Sequence, residues 1–384
     1  MAGEQSVRST RSISSLWPTL RVALAVVWVP WLVARVLTGT ALGLARYLVS
    51  HVDVRSTKAI DAAHQGLSSW DASWYVAIAR DGYGSLPHSG TRFFPLFPEL
   101  LHVGHLLSGV SVTLLGVVVA NLASLLAAVL LYLLARAELD ERSASRAVWL
   151  LCLAPASFVL VMGYAESLLL CFVLAAFLAW RRGSFWWASL FGVLAGLTRP
   201  LGIVLILPAV VYGLHGFDAA ATKAKVARGA SVLSPLLGTG IYLAWVASAF
   251  GDWLLPFRSQ TAQGAHGGLS NPLAVAYDAL RELFHGHVGT ALHVPWIILS
   301  LLLLILCFRR LPLAYGLFAA GVLLAALSGT NLDSFERYAL SAFPLLLVGG
   351  TLIRSERVAL PVLLLSSCGM VAYALLAFLG AYVP

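Results

Sequence analysis

The sequence predicts an all-α, polytopic membrane protein, and three observations carry that prediction. Sixty per cent of the 384 residues are hydrophobic and only 11% are charged, whereas soluble domains carry about 25% charged residues. The apolar residues come in runs long enough for about ten spans of ~20 residues plus loops. The basic residues, which give a net charge of +8, fall in ones, twos and threes between those runs. That placement is a topology signal. It also argues against nucleic-acid binding, which calls for a basic stripe interleaved with aromatics.

The first 16 residues are polar and Ser-rich and are expected to form a disordered cytoplasmic tail. The span behind them has no convincing small-residue cleavage site and is expected to stay as an anchor. Eleven spans are predicted, at about 17–39, 111–135, 146–163, 166–181, 185–198, 200–215, 229–250, 294–308, 313–329, 339–353 and 358–381. The stretch 94–110 reads as an interfacial helix rather than a further span, because Pro95, Pro98, Glu99, His102 and His105 interrupt its apolar character. With the N-terminus cytoplasmic, the inside segments hold Arg8, Arg11 and Arg21; Arg136, Arg142 and Arg146; Arg181 and Arg182; Lys223, Lys225 and Arg228; Arg309 and Arg310; and Arg354 and Arg357. Each lies in a short loop or beside a span, as the positive-inside rule requires. Arg35 falls inside the first span.

The whole chain, 1–384, then forms one transmembrane domain. Its first extracytoplasmic loop with interfacial helices occupies about 40–110, and a second long outer loop occupies about 251–293. Polar clusters mark two further outer corners, at 164–166 and 330–338. The inner loops are short and merely basic, so chemistry is expected on the outer face. Cys152, Cys171, Cys307 and Cys368 each lie in an apolar run without a CxxC pair, and read as small buried hydrophobes.

In the first outer loop, residues 68–84 read SSWDASWYVAIARDGYG. Ser69 is a candidate N-cap and Gly82 a candidate stop. Trp70, Trp74 and Ile78 recur every four positions, which predicts one face of a short, Trp-rich interfacial helix. Asp71 falls in its first turn, where the helix dipole favours an ionised carboxylate. It is a candidate general base beside aromatics, Tyr75 among them, that can stack on a sugar. The competing reading is a helix-capping aspartate. Asp81 lies about 15 Å further along an ideal helix. It cannot pair with Asp71 unless the helix breaks, and next to Gly82 it reads as a turn residue.

RFFPLFPEL, residues 92–100, carries two prolines among aromatics and is expected to re-enter the interface. Arg92 is placed to bind a lipid phosphate or to snorkel to headgroups. In APASFVLVMGYAESLLL, residues 154–170, Glu166 is the only acid in a long apolar stretch, with Tyr164 beside it. An unpaired ionisable group there costs about 1–3 kcal/mol, so Glu166 must face a cavity or a partner. In LTRPLG, residues 197–202, Pro200 limits the preceding helix and leaves Arg199 at the outer rim, where a guanidinium suits a phosphate. TNLDSFERYALSAFP, residues 330–344, brings Arg337 and Tyr338 to the opening of the tenth span. Arg337 is a candidate bidentate clamp for a polyprenyl phosphate, unless Asp333 and Glu336 neutralise it. Asp252, in GDWLLPFRSQ (251–260), belongs to a similar mix of acid, aromatic and arginine. His102 and His105 have no third partner, so no metal site and no cofactor are predicted. Walker, GxGxxG, HExxH and GxSxG patterns are missing.

Taken together, WDASWYVAIARDGY, RFFPLFP, APASFVLVMGYAESL, LTRPLG and ERYALSAFP resemble, in order over about 68–344, the PIG-V-like mannosyltransferases of the GT-C glycosyltransferase class, related to the second mannosyltransferase of GPI-anchor synthesis. The resemblance implies a GT-C-type bundle and a lipid-phosphate sugar donor. It also implies a catalytic acid in the first outer loop at the position of Asp71, beside Trp70. Asp71 would deprotonate an acceptor hydroxyl that attacks the anomeric carbon with inversion, and Arg337, Arg199 or Arg92 would stabilise the departing lipid phosphate. The expected partners are a polyprenyl-phosphate mannose donor, membrane lipids and a glycolipid, lipoglycan or protein acceptor. The expected location is a plasma membrane, with the active site extracytoplasmic. Eukaryotic relatives carry Asn-Gly after the Arg of the fifth-span corner, where this chain has Pro200-Leu201-Gly202. The abundance of Ala, Leu, Val and Arg suggests a GC-rich bacterial genome without a GPI pathway, so the acceptor is expected to differ. A transporter or lipid flippase would instead place charges near the bilayer midplane and show inverted repeats.

Overall fold

The computed structural model describes residues 16–52, 56–261, 267–285 and 293–383. The expectation that 1–16 is disordered falls almost wholly outside these residues, as do parts of the 251–293 loop. Among the described residues the regular structure is helical. It comprises α1 (Leu16–His51), α2 (Thr57–Gln65), α3 (Asp71–Asp81), α4 (Leu96–Ser108), α5 (Val112–Glu138), α6 (Glu141–Leu153), α7 (Glu166–Arg181), α8 (Phe185–Thr198), α9 (Ile206–Leu214) and α10 (Thr222–Phe250). After these come α11 (Leu255–Gln260), α12 (Pro272–His285), α13 (Val294–Arg310), α14 (Leu313–Leu327), α15 (Phe335–Ser341), α16 (Phe343–Leu352) and α17 (Glu356–Phe378).

Four of these, α1, α5, α10 and α17, are long and apolar enough to cross a membrane by length and composition. They expose large apolar side chains such as Trp28, Leu122, Leu237 and Leu365 on their outer faces, the arrangement of helices solvated by lipid rather than water.

Helices α7 and α8 begin and end where the apolar runs predict. Elsewhere the runs misplace boundaries, for reasons visible in the sequence. The first helix continues to His51 instead of stopping near 39, so the loop that follows it is shorter than expected. The predicted span 146–163 breaks at Leu153, because Pro155 has no amide proton and disfavours helical geometry at Ala154; a 3-10 segment, Pro155–Leu160, follows. Pro200 does the same to 200–215, which opens as a 3-10 turn, Pro200–Leu205, before α9. The segment expected to start at 339 begins earlier as the short α15, and Pro344 sits within the first turn of the helix that follows it. Residues 96–108 form a separate 13-residue helix. At about 20 Å it is too short to cross a bilayer.

The two ends of the bundle differ in chemistry. At one end Arg181 pairs with Glu138, Arg146 with Glu356 (2.8 Å), and Arg310 donates to the Thr351 hydroxyl at 2.9 Å. These groups lie at the turns expected to be basic. Helix α7 runs from Arg181 back to Glu166 over 16 residues, about 24 Å. Glu166 therefore sits at the other end. Between the two ends lies Arg35, whose Nε donates to Asn121 Oδ1 at 2.9 Å, whose Nη1 donates to the Trp31 carbonyl at 3.0 Å and whose Nη2 reaches the Ser124 hydroxyl. Neutral acceptors thus satisfy an arginine in the middle of α1, and this knot ties α1 to α5.

Helices α8 and α10 cross at close range through glycines. A methyl group added at Gly238 would lie 2.1 Å from the Val193 carbonyl oxygen, and one at Gly196 would lie 2.4 Å from the Pro235 carbonyl oxygen. Gly238→Ala is expected to destabilise the protein by about 1–3 kcal/mol, the usual cost of overpacking. Thermal unfolding in detergent would measure it, and an unchanged midpoint would mean that the helices separate freely. Cys152, Cys171 and Cys307 are buried as expected, but Cys368 is exposed on the outer side of α17.

Candidate functional site

The site is built where four corners converge at one end of the bundle. Helix α3 starts at Asp71, but Ser69 does not cap it. The Ser69 hydroxyl donates instead to the Gly66 carbonyl at 2.7 Å and closes the preceding turn. The cap position is Trp70, whose backbone is forced to φ +59°, ψ −128°. Gly82 ends the helix at φ +75°, as expected of a stop glycine. Trp70 is pinned by the last turn of α17, its indole N–H donating to the Ala377 carbonyl at 3.0 Å. The Asp71 amide donates to the Tyr164 hydroxyl at 3.3 Å, which ties the start of α3 to the corner before α7.

The carboxylate of Asp71 meets Arg337, with Nη1 to Oδ2 at 2.5 Å. Arg337 is 5% exposed and the Asp71 side chain 21% exposed, so the pair sits at the floor of an opening. Arg337 Nε also lies 3.3 Å from Glu166 Oε1, and Arg199 pairs with that same oxygen. Asp71, Arg337, Glu166 and Arg199 therefore form one chain of alternating charge. Glu166 is 2% exposed, and its second carboxylate oxygen is buried without a hydrogen-bond partner. Tyr164 and Tyr338 stack against the Arg337 guanidinium, at 5.5 and 5.8 Å from their ring centres. Burial by itself would raise the Asp71 carboxyl, but the guanidinium groups of Arg337, Arg92 and Arg199 override it and hold it below the ordinary carboxylate range.

Above this network is a cleft of about 340 Å³. Trp70, Trp74, Tyr75 and Phe93 form its aromatic wall, while Arg92, Arg199, Arg337 and Tyr338 line the cationic side. Trp74 stacks on Phe93 at 5.6 Å, and Arg92 lies over Phe93 at 4.9 Å. Among the described residues the non-glycine residues at positive φ are Trp70 and Ser334, and both line this cleft. Such backbone costs about 1–3 kcal/mol per residue and persists only where its surroundings enforce it.

Of the residues singled out from the sequence, Trp70, Asp71, Trp74, Tyr75, Arg92, Tyr164, Glu166, Arg199, Arg337 and Tyr338 come together here. Asp81 and Asp252 do not. Asp81 is turned to solvent and pairs with the neighbouring Arg80 at 2.7 Å. Asp252 closes its own turn by accepting from the Leu254 amide at 2.9 Å and pairs with Arg258 at 2.8 Å. The segment after α10 contributes Gln260 instead, because α11 packs on the turn His88–Arg92. Asp333 and Glu336 were candidates for neutralising Arg337. In the structure Asp71 and Glu166 do so, while Asp333 accepts from the Asn331 side-chain amide and Glu336 binds His293 at 2.9 Å and Tyr382 at 2.9 Å. His102 and His105 engage the carbonyls of Ala79 and Val110. Lys58 was missed. It lies 4.6 Å from the Trp70 ring centre and lines the cleft, and nothing in its local sequence separates it from an ordinary surface lysine.

The chain is thus a multi-helix membrane protein with an aromatic and cationic cleft around one carboxylate at one end of its bundle. The sequence profile described as "Mannosyltransferase (PIG-V)" matches residues 20–249. That is more than half of the chain, and the protein belongs to the PIG-V mannosyltransferase family. It is 37% identical over 157 residues to GPI alpha-1,6-mannosyltransferase 2 of Rattus norvegicus, covering 38% of this chain and 32% of that protein. It is 36% identical over 151 residues to the Homo sapiens protein of the same name, covering 37% and 30%. The matched region thus spans about a third of the length of these relatives. Among solved structures, the Archaeoglobus fulgidus oligosaccharyltransferase with zinc and sulfate overlaps 81% of this chain and 48% of its own, at 14% identity and a TM-score of 0.44. The same organism's enzyme with an inhibitory peptide and a dolichol-phosphate overlaps 97% and 57%, at 12% identity and a TM-score of 0.41.

Proposed function

We propose that this protein is an inverting mannosyltransferase. It moves mannose from a polyprenyl-phosphate donor to a glycolipid, lipoglycan or protein acceptor at the extracytoplasmic face of a plasma membrane. One observation carries the reading: the Asp71 carboxylate pairs with the buried Arg337 guanidinium, which shares Glu166 with the buried Arg199, at the floor of a cleft walled by tryptophans and at the end of the bundle opposite its basic turns.

In this reading the acceptor hydroxyl gives its proton to Asp71 as its oxygen bonds to the anomeric carbon. The bond from that carbon to the phosphate oxygen breaks, and the lipid phosphate leaves with the electron pair. Arg337 and Arg199 stabilise the charge that accumulates on the leaving group. Without donor, Arg337 is spent on Asp71. The donor phosphate competes for that guanidinium, and the competition releases the carboxylate to act as a base only when donor is in place. The aromatic wall of Trp70 and Trp74 offers a stacking surface for the sugar.

The decisive experiment incubates the purified protein with labelled polyprenyl-phosphate mannose and extracted membrane lipids or secreted proteins. Label is expected in a covalent product. Donor hydrolysed to free mannose with no acceptor labelled would overturn the transferase reading, and label carried across proteoliposomes unchanged would make the protein a transporter.

The pH dependence follows from the depressed carboxyl of Asp71. A carboxylate lowered on folding stabilises the fold fully above its unfolded value of about 3.9, and that contribution disappears as pH falls through the lower native value. Transfer is therefore expected to show no acid limb from this group between about pH 5 and 8. An acid limb in wild-type kcat/KM centred in that interval would contradict a carboxyl held low by Arg337.

A further inference from the structure

Arg92 differs from the other arginines of the cleft. Arg337 pairs with Asp71 and Glu166, and Arg199 pairs with Glu166. Arg92 lines the same cleft but forms no ion pair among the described residues. Its guanidinium lies over aromatic rings instead, 4.9 Å from the centre of Phe93 and 5.9 Å from that of Trp74.

The backbone around Arg92 is held from two sides. Arg92 closes the 3-10 turn His88–Arg92, and Phe93 after it is extended, at φ −92°, ψ 112°. Helical pairing therefore stops here, and Pro95 has no amide proton to offer the Thr91 carbonyl four residues back. Thr91 and Phe93 are both buried, so their carbonyls need partners from elsewhere. Two tyrosines supply them. Tyr83, in the turn after α3, donates its hydroxyl to the Phe93 carbonyl at 2.6 Å. Tyr242, on α10, donates its hydroxyl to the Thr91 carbonyl at 2.7 Å, across 151 positions of sequence. Both tyrosines are buried, and their rings pack at 5.9 Å. A further tie comes from α11, where the Ser259 hydroxyl donates to the His88 carbonyl at 3.2 Å. Neither tyrosine lines the cleft. A phenylalanine would keep the ring packing at either place. What the hydroxyls add is the pair of bonds to the backbone on each side of Arg92.

We infer that Tyr83 and Tyr242 are positioning residues for anion recognition: by fixing the chain before and after Arg92 they hold its guanidinium in place for the phosphate of the lipid-linked donor. The inference rests on the donor proposed above. Arg337 and Arg199 must share a guanidinium between a carboxylate and that phosphate, whereas Arg92 meets it without disturbing an ion pair. The planar fork of a guanidinium suits phosphate oxygens, and a group already ordered before binding loses less freedom when the ligand arrives.

The test measures binding of sugar-free polyprenyl phosphate to the full chain in detergent. Tyr83→Phe and Tyr242→Phe are made singly and together, in the wild-type and the Arg92→Ala backgrounds. The double tyrosine variant is expected to bind roughly tenfold more weakly than wild type, equivalent to about 1.4 kcal/mol. In the Arg92→Ala background the same two changes are expected to alter binding by less than about twofold, because the residue they position is gone. Tyrosines with a merely structural role would weaken binding by the same factor in both backgrounds. That result, or unchanged binding in the wild-type background, would overturn the inference. Should the double variant fail to fold, each single variant carries the same comparison with a loss of about threefold. Tyr315→Phe removes a hydroxyl at the opposite end of the bundle, where it donates to Glu138 at 2.6 Å, and is expected to leave binding unchanged. An equal loss there would reduce the effect to a general loosening of the fold and also overturn the inference. Wild-type protein without affinity for polyprenyl phosphate would instead sink the donor reading, and this inference with it.

Discussion

Asp71→Asn is expected to abolish detectable transfer, lowering kcat by about 10²–10⁴, the usual contribution of a positioned general base. The amide is nearly isosteric and keeps the backbone bond from residue 71 to the Tyr164 hydroxyl. It removes only the charge and the ability to take a proton. Expression and thermal stability should fall modestly, since Arg337 keeps Glu166 as a partner. The comparison to make is of single-turnover transfer and melting temperature on the same preparation. Transfer at the wild-type rate in a folded Asp71→Asn protein would leave the carboxylate as a structural cap and move the base elsewhere.

Arg337→Ala is expected to have the larger effect on the fold as well as the chemistry. It strips the partner from Asp71 and one of two cations from Glu166, whose second oxygen is already unsatisfied. Breaking a buried pair by removing one side costs about 3–5 kcal/mol, because the remaining charge stays desolvated. Arg337→Lys keeps the charge without the fork that reaches two carboxylates at once. It should fold better than the alanine variant and still lose donor affinity. The two effects separate when binding of sugar-free polyprenyl phosphate is measured beside melting temperature. An alanine variant that melts normally and binds the lipid phosphate as tightly as wild type would remove Arg337 from the site.

These two residues also show where reading the chain in one dimension stops. Asp71 was marked by its place at the start of a Trp-rich helix, and Arg337 by its place at an outer corner. Their meeting, across 266 positions, was written in neither segment. Local spacing kept Asp81, read as a turn residue, and Asp252 among the candidates beside Asp71. Only the folded chain shows that each of them spends its charge on a near neighbour, Arg80 or Arg258. Glu336 was read as a counter-ion for the residue beside it, but adjacent positions on a helix point about 100° apart, and Glu336 turns to His293 and Tyr382 instead.

By itself the sequence determined the membrane as solvent, the alternation of basic and polar turns and the segments that make up the site, because hydropathy, charge placement and proline act locally and survive in a linear string. The tertiary structure alone decided which charges neutralise one another and which loop residues reach the cleft. Those outcomes depend on distances between residues far apart in the chain. In a low-dielectric interior a few ångströms determine whether an ion pair forms or a carboxylate is left without a partner.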